Sequence, residues 1–379
     1  MKKYFYFGLT LLLLFEFFRV YLIMPMPGSQ ESNTINLAYH LHQYRWMIRI
    51  ILAGMLLTGI KQAFTTKGKV LNIINIIIAG IAIYLFNFPM SADRMFLQPG
   101  KITYAGMDAV KNDELQVIGI TINKVSRAYP VSYLIYHHQV RDIISATPVM
   151  ITYCSVCRTG RVYEPVVEGK TETFRLVGMD HYNAMFEDEH TGSWWRQATG
   201  EAIAGKRKGM RLKEIPSEQM TLAMWKKLHP DGKVFLPDEN FISAYDSELA
   251  FENGTSTSSL TGTNHNSWEN KSWVAGVIIN DQAKAYDWNQ LKKERVINDR
   301  LNNKHVAIIL FSDDKSFAAF IKEDSLPVSI SGDTLFYKNH IYKADGRSFD
   351  GLHQLQQQTV YQEFWHSWKT FHPETVQYK

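Results

Sequence analysis

The chain carries a second copy of part of itself, and this constrains its fold more than any other feature. At a shift of 157 residues, 117–154 (VIGITINKVSRAYPVSYLIYHHQVRDIISATPVMITYC) aligns without gaps to 274–311 (VAGVIINDQAKAYDWNQLKKERVINDRLNNKHVAIILF), with ten of 38 positions identical. A register held over that length marks a repeated folding unit. The copies meet again at 225–230 (WKKLHP) and 368–373 (WKTFHP), now at a shift of 143, so the second copy is 14 residues shorter (157 minus 143). Each reads as a hairpin-like start, a short amphipathic piece, a buried strand, further strands and a closing tryptophan-containing helix. The expectation is an α+β chain whose predominantly β ectodomain is built from two pseudo-symmetric repeats.

Three apolar runs precede the repeats, at 4–24, 46–60 and 71–90, and they read as transmembrane helices. Glu16 and Arg19 interrupt the first; three residues apart, they share one helix face and offset each other's charge. This run ends in MPMPGSQ without a small-residue cleavage site, which argues for a retained span over a signal peptide. Lys2, Lys3, Lys61, Lys67 and Lys69 fall on one side, whereas 25–44 holds no Lys or Arg, so the N-terminus is expected in the cytoplasm and everything after residue 90 outside it. Arg45 and Arg49 pull the other way. The expected division is a membrane region at 1–90, a first β-rich repeat at 91–251 and a second, degenerate one at 252–379, joined through the Gly/Ser/Thr/Asn-rich stretch 252–266. With 41 basic and 37 acidic residues spread along the chain, nothing suggests nucleic acid as a partner. The expected partner is the cytoplasmic membrane itself, and the sequence names no protein partner.

Both cysteines, Cys154 and Cys157, lie in the single stretch PVMITYCSVCRTG, where an apolar β-branched run leads into a short polar turn. The repeat serves as an internal control. Cys154 and Cys157 face Phe311 and Asp314 of the second copy, His137 and His138 face Glu294 and Arg295, and Arg158 faces Lys315. Only the first copy can therefore carry thiol chemistry. The next donor-rich stretch is VGMDHYNAMFEDEHTGSWWRQATG, with Met179, Asp180, His181 and Asp188. Copper accepts thiolate, thioether and imidazole together, and zinc accepts thiolates with imidazole. Cys154, Cys157, His181 and Met179 are thus the expected copper or zinc ligands, with His137, His138, Asp180 and Asp188 as further donors. A site shared with His181 requires the strands leading to it and to the cysteines to end at one sheet edge.

Two other readings stay open. Cys154 and Cys157 could be the catalytic pair of a thiol-disulfide redox protein, with Arg158 lowering a thiol pKa. Alternatively the CxxC is a structural staple in a non-enzymatic envelope binding module. The chain has no GxGxxG, GxxxxGK[ST], HExxH or GxSxG, and its CxxC lacks the histidine of c-type haem attachment.

Taken in order, AYPVSYLIYHHQVRD, PVMITYCSVCRTGRVYEP, FRLVGMDHYNAMFEDEHTGSWWRQATGEAIAG and WKKLHP resemble the bacterial family called domain of unknown function 3179, over roughly residues 107–378. The resemblance implies a bacterial protein and no particular activity; with the three apolar runs, the expected setting is the bacterial inner membrane. The family's commoner pattern has proline between the cysteines and glycine after them, where this chain has Ser155, Val156 and Arg158, so the resemblance points to a distinct branch.

Overall fold

A computed structural model describes residues 2–65 and 68–379; Lys67, one of the lysines counted for orientation, lies outside them. The chain divides into two units, and each is taken by itself. The first comprises Met1–Leu97, Glu172–Arg196 and Glu201–Arg211. Its helices α1 (Lys2–Tyr21), α2 (Ile35–Gln43), α3 (Arg45–Phe64) and α4 (Lys69–Asn87) include three, α1, α3 and α4, that are long and apolar enough to cross a membrane. Ile50, Ile51, Leu57, Ile77 and Ile78 are exposed on them, which suits lipid as the surrounding solvent.

The polar residues of these helices converge. Glu16 is fully buried and takes both forks of Arg49, Nε to Oε1 at 2.6 Å and Nη2 to Oε2 at 2.9 Å. Arg19 Nη2 and Asn87 Nδ2 reach Oε2 of the same carboxylate at 3.3 and 3.0 Å, while Asn87 Oδ1 accepts from both arginines. The expected Glu16–Arg19 pair is therefore part of a four-residue cluster that ties α1 to α3 and α4.

The rest of the first unit is a four-stranded sheet in the order Ala202–Ala204, Trp194–Arg196, Asn183–Asp188, Phe174–Asp180. It packs Val177, Met185, Trp194 and Ile203 with Ile23, just beyond α1, and Ala38 of α2. The Met179 amide donates to the Ile23 carbonyl at 2.7 Å, and a Cβ on Gly178 would meet that carbonyl oxygen at 2.5 Å, so only glycine allows this approach.

The second unit, Gln98–Thr171, Gln197–Gly200 and Leu212–Lys379, is mostly β structure in several small sheets. The order strand, strand, helix, strand, strand runs through Gln116–Ile122, Val125–Pro130, Val131–His137, Gln139–Ile144 and Thr147–Cys154. The same order runs through Trp273–Ile279, Gln282–Asp287, Trp288–Glu294, Val296–Leu301 and Lys304–Leu310. Two-residue turns join the strands, with Asn123 and Lys124, Ser145 and Ala146, Asn280 and Asp281, and Asn302 and Asn303 all at positive φ, as tight hairpins of this kind demand.

Each set is closed by a strand, a tryptophan helix and a short strand: Glu218–Thr221, Leu222–Leu228 and Lys233–Phe235 in one case, Val360–Phe364, Trp365–Phe371 and Val376–Gln377 in the other. In both, the closing strand pairs antiparallel with the first strand, and the short one pairs parallel with the second. Trp225 lies flat on Gly119, and Trp368 lies flat on Gly276.

Candidate functional site

The strand Thr147–Cys154 is buried from Val149 onward, which fixes the position of Cys154 at its end. The turn after it returns antiparallel through Thr159–Glu164, so Cys157 comes back beside Cys154 at the tip of the hairpin. The two cysteines approach to 4.3 Å, form no disulfide, and are both fully buried.

The group facing them comes from the closing helix of the second strand set. Cys157 Sγ lies 3.9 Å from Nε2 of His366. The other ring nitrogen, Nδ1, donates to the Asn270 carbonyl at 2.9 Å, so Nε2 presents its lone pair to the sulfur. Lys271 Nζ is held beside this cluster by the carbonyls of Val156 and Leu260, at 2.6 and 2.5 Å, and lies 4.7 Å from the centre of the Phe364 ring. Ser367 closes another side; its hydroxyl donates to Glu363 at 2.9 Å and lies 3.3 Å from the Thr159 hydroxyl.

Burial pushes the Cys157 thiol well up, and neighbouring Cys154 adds to this; Ser367 and Lys271 pull weakly the other way. Burial, helped by Lys271, pushes His366 down to about 4. At neutral pH the cluster thus holds a neutral thiol beside a neutral imidazole. A metal ion would change this, because it binds thiolate and displaces the thiol protons.

Arg158, at positive φ in the turn, is buried. Its guanidinium donates to Gln362 Oε1 at 2.8 Å and to the carbonyls of Phe251 and Glu252 at 3.0 and 2.9 Å, with the Trp273 ring 3.7 Å away. It therefore braces the floor of the site, and Lys271 is the cation that lowers Cys157. Arg161 pairs with Glu363 in the same buried layer.

The other expected site residues have partners of their own. His137 Nε2 meets the Tyr245 hydroxyl at 2.6 Å, and His138 Nδ1 donates to the Ile135 carbonyl at 2.6 Å. Met179, Asp180, His181 and Asp188 belong to the first unit. His181 Nδ1 donates to Asp180 Oδ1 at 2.7 Å, and Arg196 Nε reaches Oδ2 at 2.8 Å. Burial alone would raise the Asp180 carboxyl, but His181 and Arg196 together hold it below the usual carboxylate range. Asp188 accepts from Trp195 Nε1 at 2.8 Å and from the Thr191 amide at 2.7 Å. The strands before Cys154 and before His181 lie in different four-stranded sheets.

Sequence reasoning did not find His366, Lys271 and Ser367. A signal for two of them lies in the repeat: at a shift of 143, His366 and Ser367 face Ala223 and Met224, so the polar pair is peculiar to the second copy just as the cysteines are to the first.

Glu252, whose carbonyl holds Arg158, carries a testable charge. Burial dominates and pushes its carboxyl up from 4.5 to about 7, against the lowering from the Gln116 amide, Lys315 and Arg158. A carboxyl raised in the folded state binds its proton more tightly there than in the unfolded chain. Its destabilising effect is absent well below 4.5, builds up as pH rises from 4.5 to about 7, and is constant above that. The Glu252→Gln variant should match the wild type in thermal melts near pH 3.5 and exceed it above about pH 8, by on the order of 3 kcal/mol. An equal difference at both pH values would refute the assignment.

By fold and site, this is an α+β protein with membrane-capable helices and a buried thiol–imidazole cluster in its β-rich unit. The chain belongs to the family described as Protein of unknown function (DUF3179), whose model matches residues 99–375 and so takes in the cysteines, Lys271 and His366. No curated protein and no solved structure matches it.

Proposed function

We propose that the protein is anchored in the cytoplasmic membrane with its β-rich part outside the cytoplasm, and that Cys154, Cys157 and His366 hold copper or zinc. The observation that carries this reading is His366. Its Nδ1 is fixed by a backbone carbonyl while Nε2 faces a thiol, the second-sphere arrangement typical of metal-ligating histidines. An ion bonded to two thiolates at about 2.3 Å and one imidazole at about 2.0 Å holds neighbouring donors roughly 4 Å apart; Cys157 already stands 4.3 Å from Cys154 and 3.9 Å from His366, and the Cys154 and His366 side chains have to close on the ion. Lys271 favours copper(I): two thiolates and a monovalent ion leave one negative charge, which the ammonium offsets.

The matching element orders, strand pairings and tryptophan–glycine contacts support two pseudo-symmetric repeats, at 91–251 and 252–379, with the site supplied by both. The thiol-disulfide reading draws on two thiols standing side by side without a disulfide between them, but a thiol pushed up by burial is a poor nucleophile.

Elemental analysis of the purified full chain tests the proposal. Cys154→Ser and Cys157→Ser should each lose one equivalent of copper or zinc relative to the wild type, and His366→Ala should bind that equivalent at least about tenfold more weakly. A His181→Ala arm measures any contribution from the first unit. Unchanged metal in both cysteine variants would leave the redox and staple readings, which thiol counting before and after reduction separates.

A further inference from the structure

A second set of donors lies far along the chain from the cysteines and shares no residue with them. The three-stranded sheet Ser329–Ser331, Thr334–Tyr337, His340–Tyr342 presents His340 at the start of its last strand. The chain then turns through RSFDGLHQ, pinned by the bridge between Arg347 and Gln354, and returns His353 against His340 with ring centroids 3.9 Å apart. Asp350 sits at the top of the turn, where the Ser348 hydroxyl and the Leu352 amide both donate to its Oδ1 and orient the carboxylate. The Ser348 hydroxyl also accepts from the His353 amide at 2.9 Å, which fixes the turn that carries both residues. One ligand atom each from His340, Asp350 and His353 lies within 4.8 Å of the other two.

These side chains are reachable. Asp350 and His353 are exposed and His340 is half-buried. The two histidines line a cleft of 680 Å³ together with His305, Glu323, Tyr342 and Gln354. We propose that His340, Asp350 and His353 form a binding site for a borderline divalent cation of the zinc class. Two imidazoles and one carboxylate are the donors such ions prefer, and a three-ligand set leaves a coordination position open towards the cleft. Donors around tetrahedral zinc stand about 3.3 Å apart, given bonds of about 2.0–2.1 Å. Each donor therefore has to move in by no more than about 1.5 Å, which side-chain rotation on an exposed turn supplies. A site of this type is harder than the thiol cluster: it takes zinc, cobalt(II) or nickel(II), and it has no thiolate to retain copper(I).

The experiment uses the full chain in detergent, with zinc alone as the probe and calorimetry as the readout. The Cys154→Ser/Cys157→Ser chain should bind one equivalent of zinc, and its cobalt(II) complex should show ligand-field bands without thiolate charge transfer. Adding His340→Ala or His353→Ala should weaken that binding at least about tenfold, and adding both should abolish it. With the cysteines intact, His340→Ala/His353→Ala should bind one equivalent of zinc fewer than the wild type. Zinc binding unchanged by the double histidine substitution, or no zinc bound by the chain lacking cysteines, would overturn the proposal. Because the variants touch separate residues, failure here and failure of the cysteine site are distinguishable.

Discussion

Glu16→Ala should destabilise the helical part of the protein by about 3–5 kcal/mol, because it removes the buried carboxylate that the buried Arg19 and the half-buried Arg49 share. Truncating one partner of a buried ionic cluster costs far more than the cluster contributes. The charges left behind lose their counter-charge in a medium that solvates them poorly. Arg19 and Arg49 would then have only Asn87 Oδ1 in common. Thermal unfolding of the detergent-solubilised chain measures the loss. The converse is equally specific: replacing Glu16, Arg19 and Arg49 together with leucine should recover most of the wild-type stability, since no charge is then left unpaired in an apolar bundle. A triple variant no more stable than Glu16→Ala would mean that the cluster is not a closed electrostatic unit.

Gly119→Ala and Gly276→Ala should each cost about 3 kcal/mol, near the upper end for overpacking. A Cβ on Gly119 would fall 2.0 Å from Trp225 Cζ3, and one on Gly276 would fall 2.2 Å from Trp368 Cζ3. Both indoles are fully buried, so neither ring can swing away without opening the closing helix from its sheet. Under the proposed repeat symmetry the two losses should be similar. Metal binding should separate the two variants: only Gly276→Ala disturbs the helix that carries His366, and only it should weaken metal binding at the cysteines. Chemical denaturation of both variants, with metal content read in parallel, tests the two statements together.

Much of this architecture was legible in the chain because it rests on local periodicity. Apolar runs of membrane-spanning length mark α1, α3 and α4 whatever surrounds them. The ungapped alignment of 117–154 with 274–311 anticipates the strand and helix order of both segments, because identical spacing of turn residues and apolar positions imposes identical local choices. The end of the strand carrying Cys154 could be read in the same way, from a β-branched run meeting a polar turn.

What the tertiary structure alone decided is who meets whom. Cys157 finds His366, 209 residues away, and Glu16 finds Arg49 and Asn87, because packed sheets and helices bring distant surfaces together. Sequence proximity favoured His181 as the partner of the cysteines, but its strand was built into a different sheet with its own acidic partner. Likewise His340 and His353 are ordinary residues of a polar stretch until one hairpin and one turn bring their rings together. Local propensity depends on the residues within a few positions of each other. A site depends on the through-space closure of long loops, which is set by contacts between residues hundreds of positions apart and not by the spacing of neighbours.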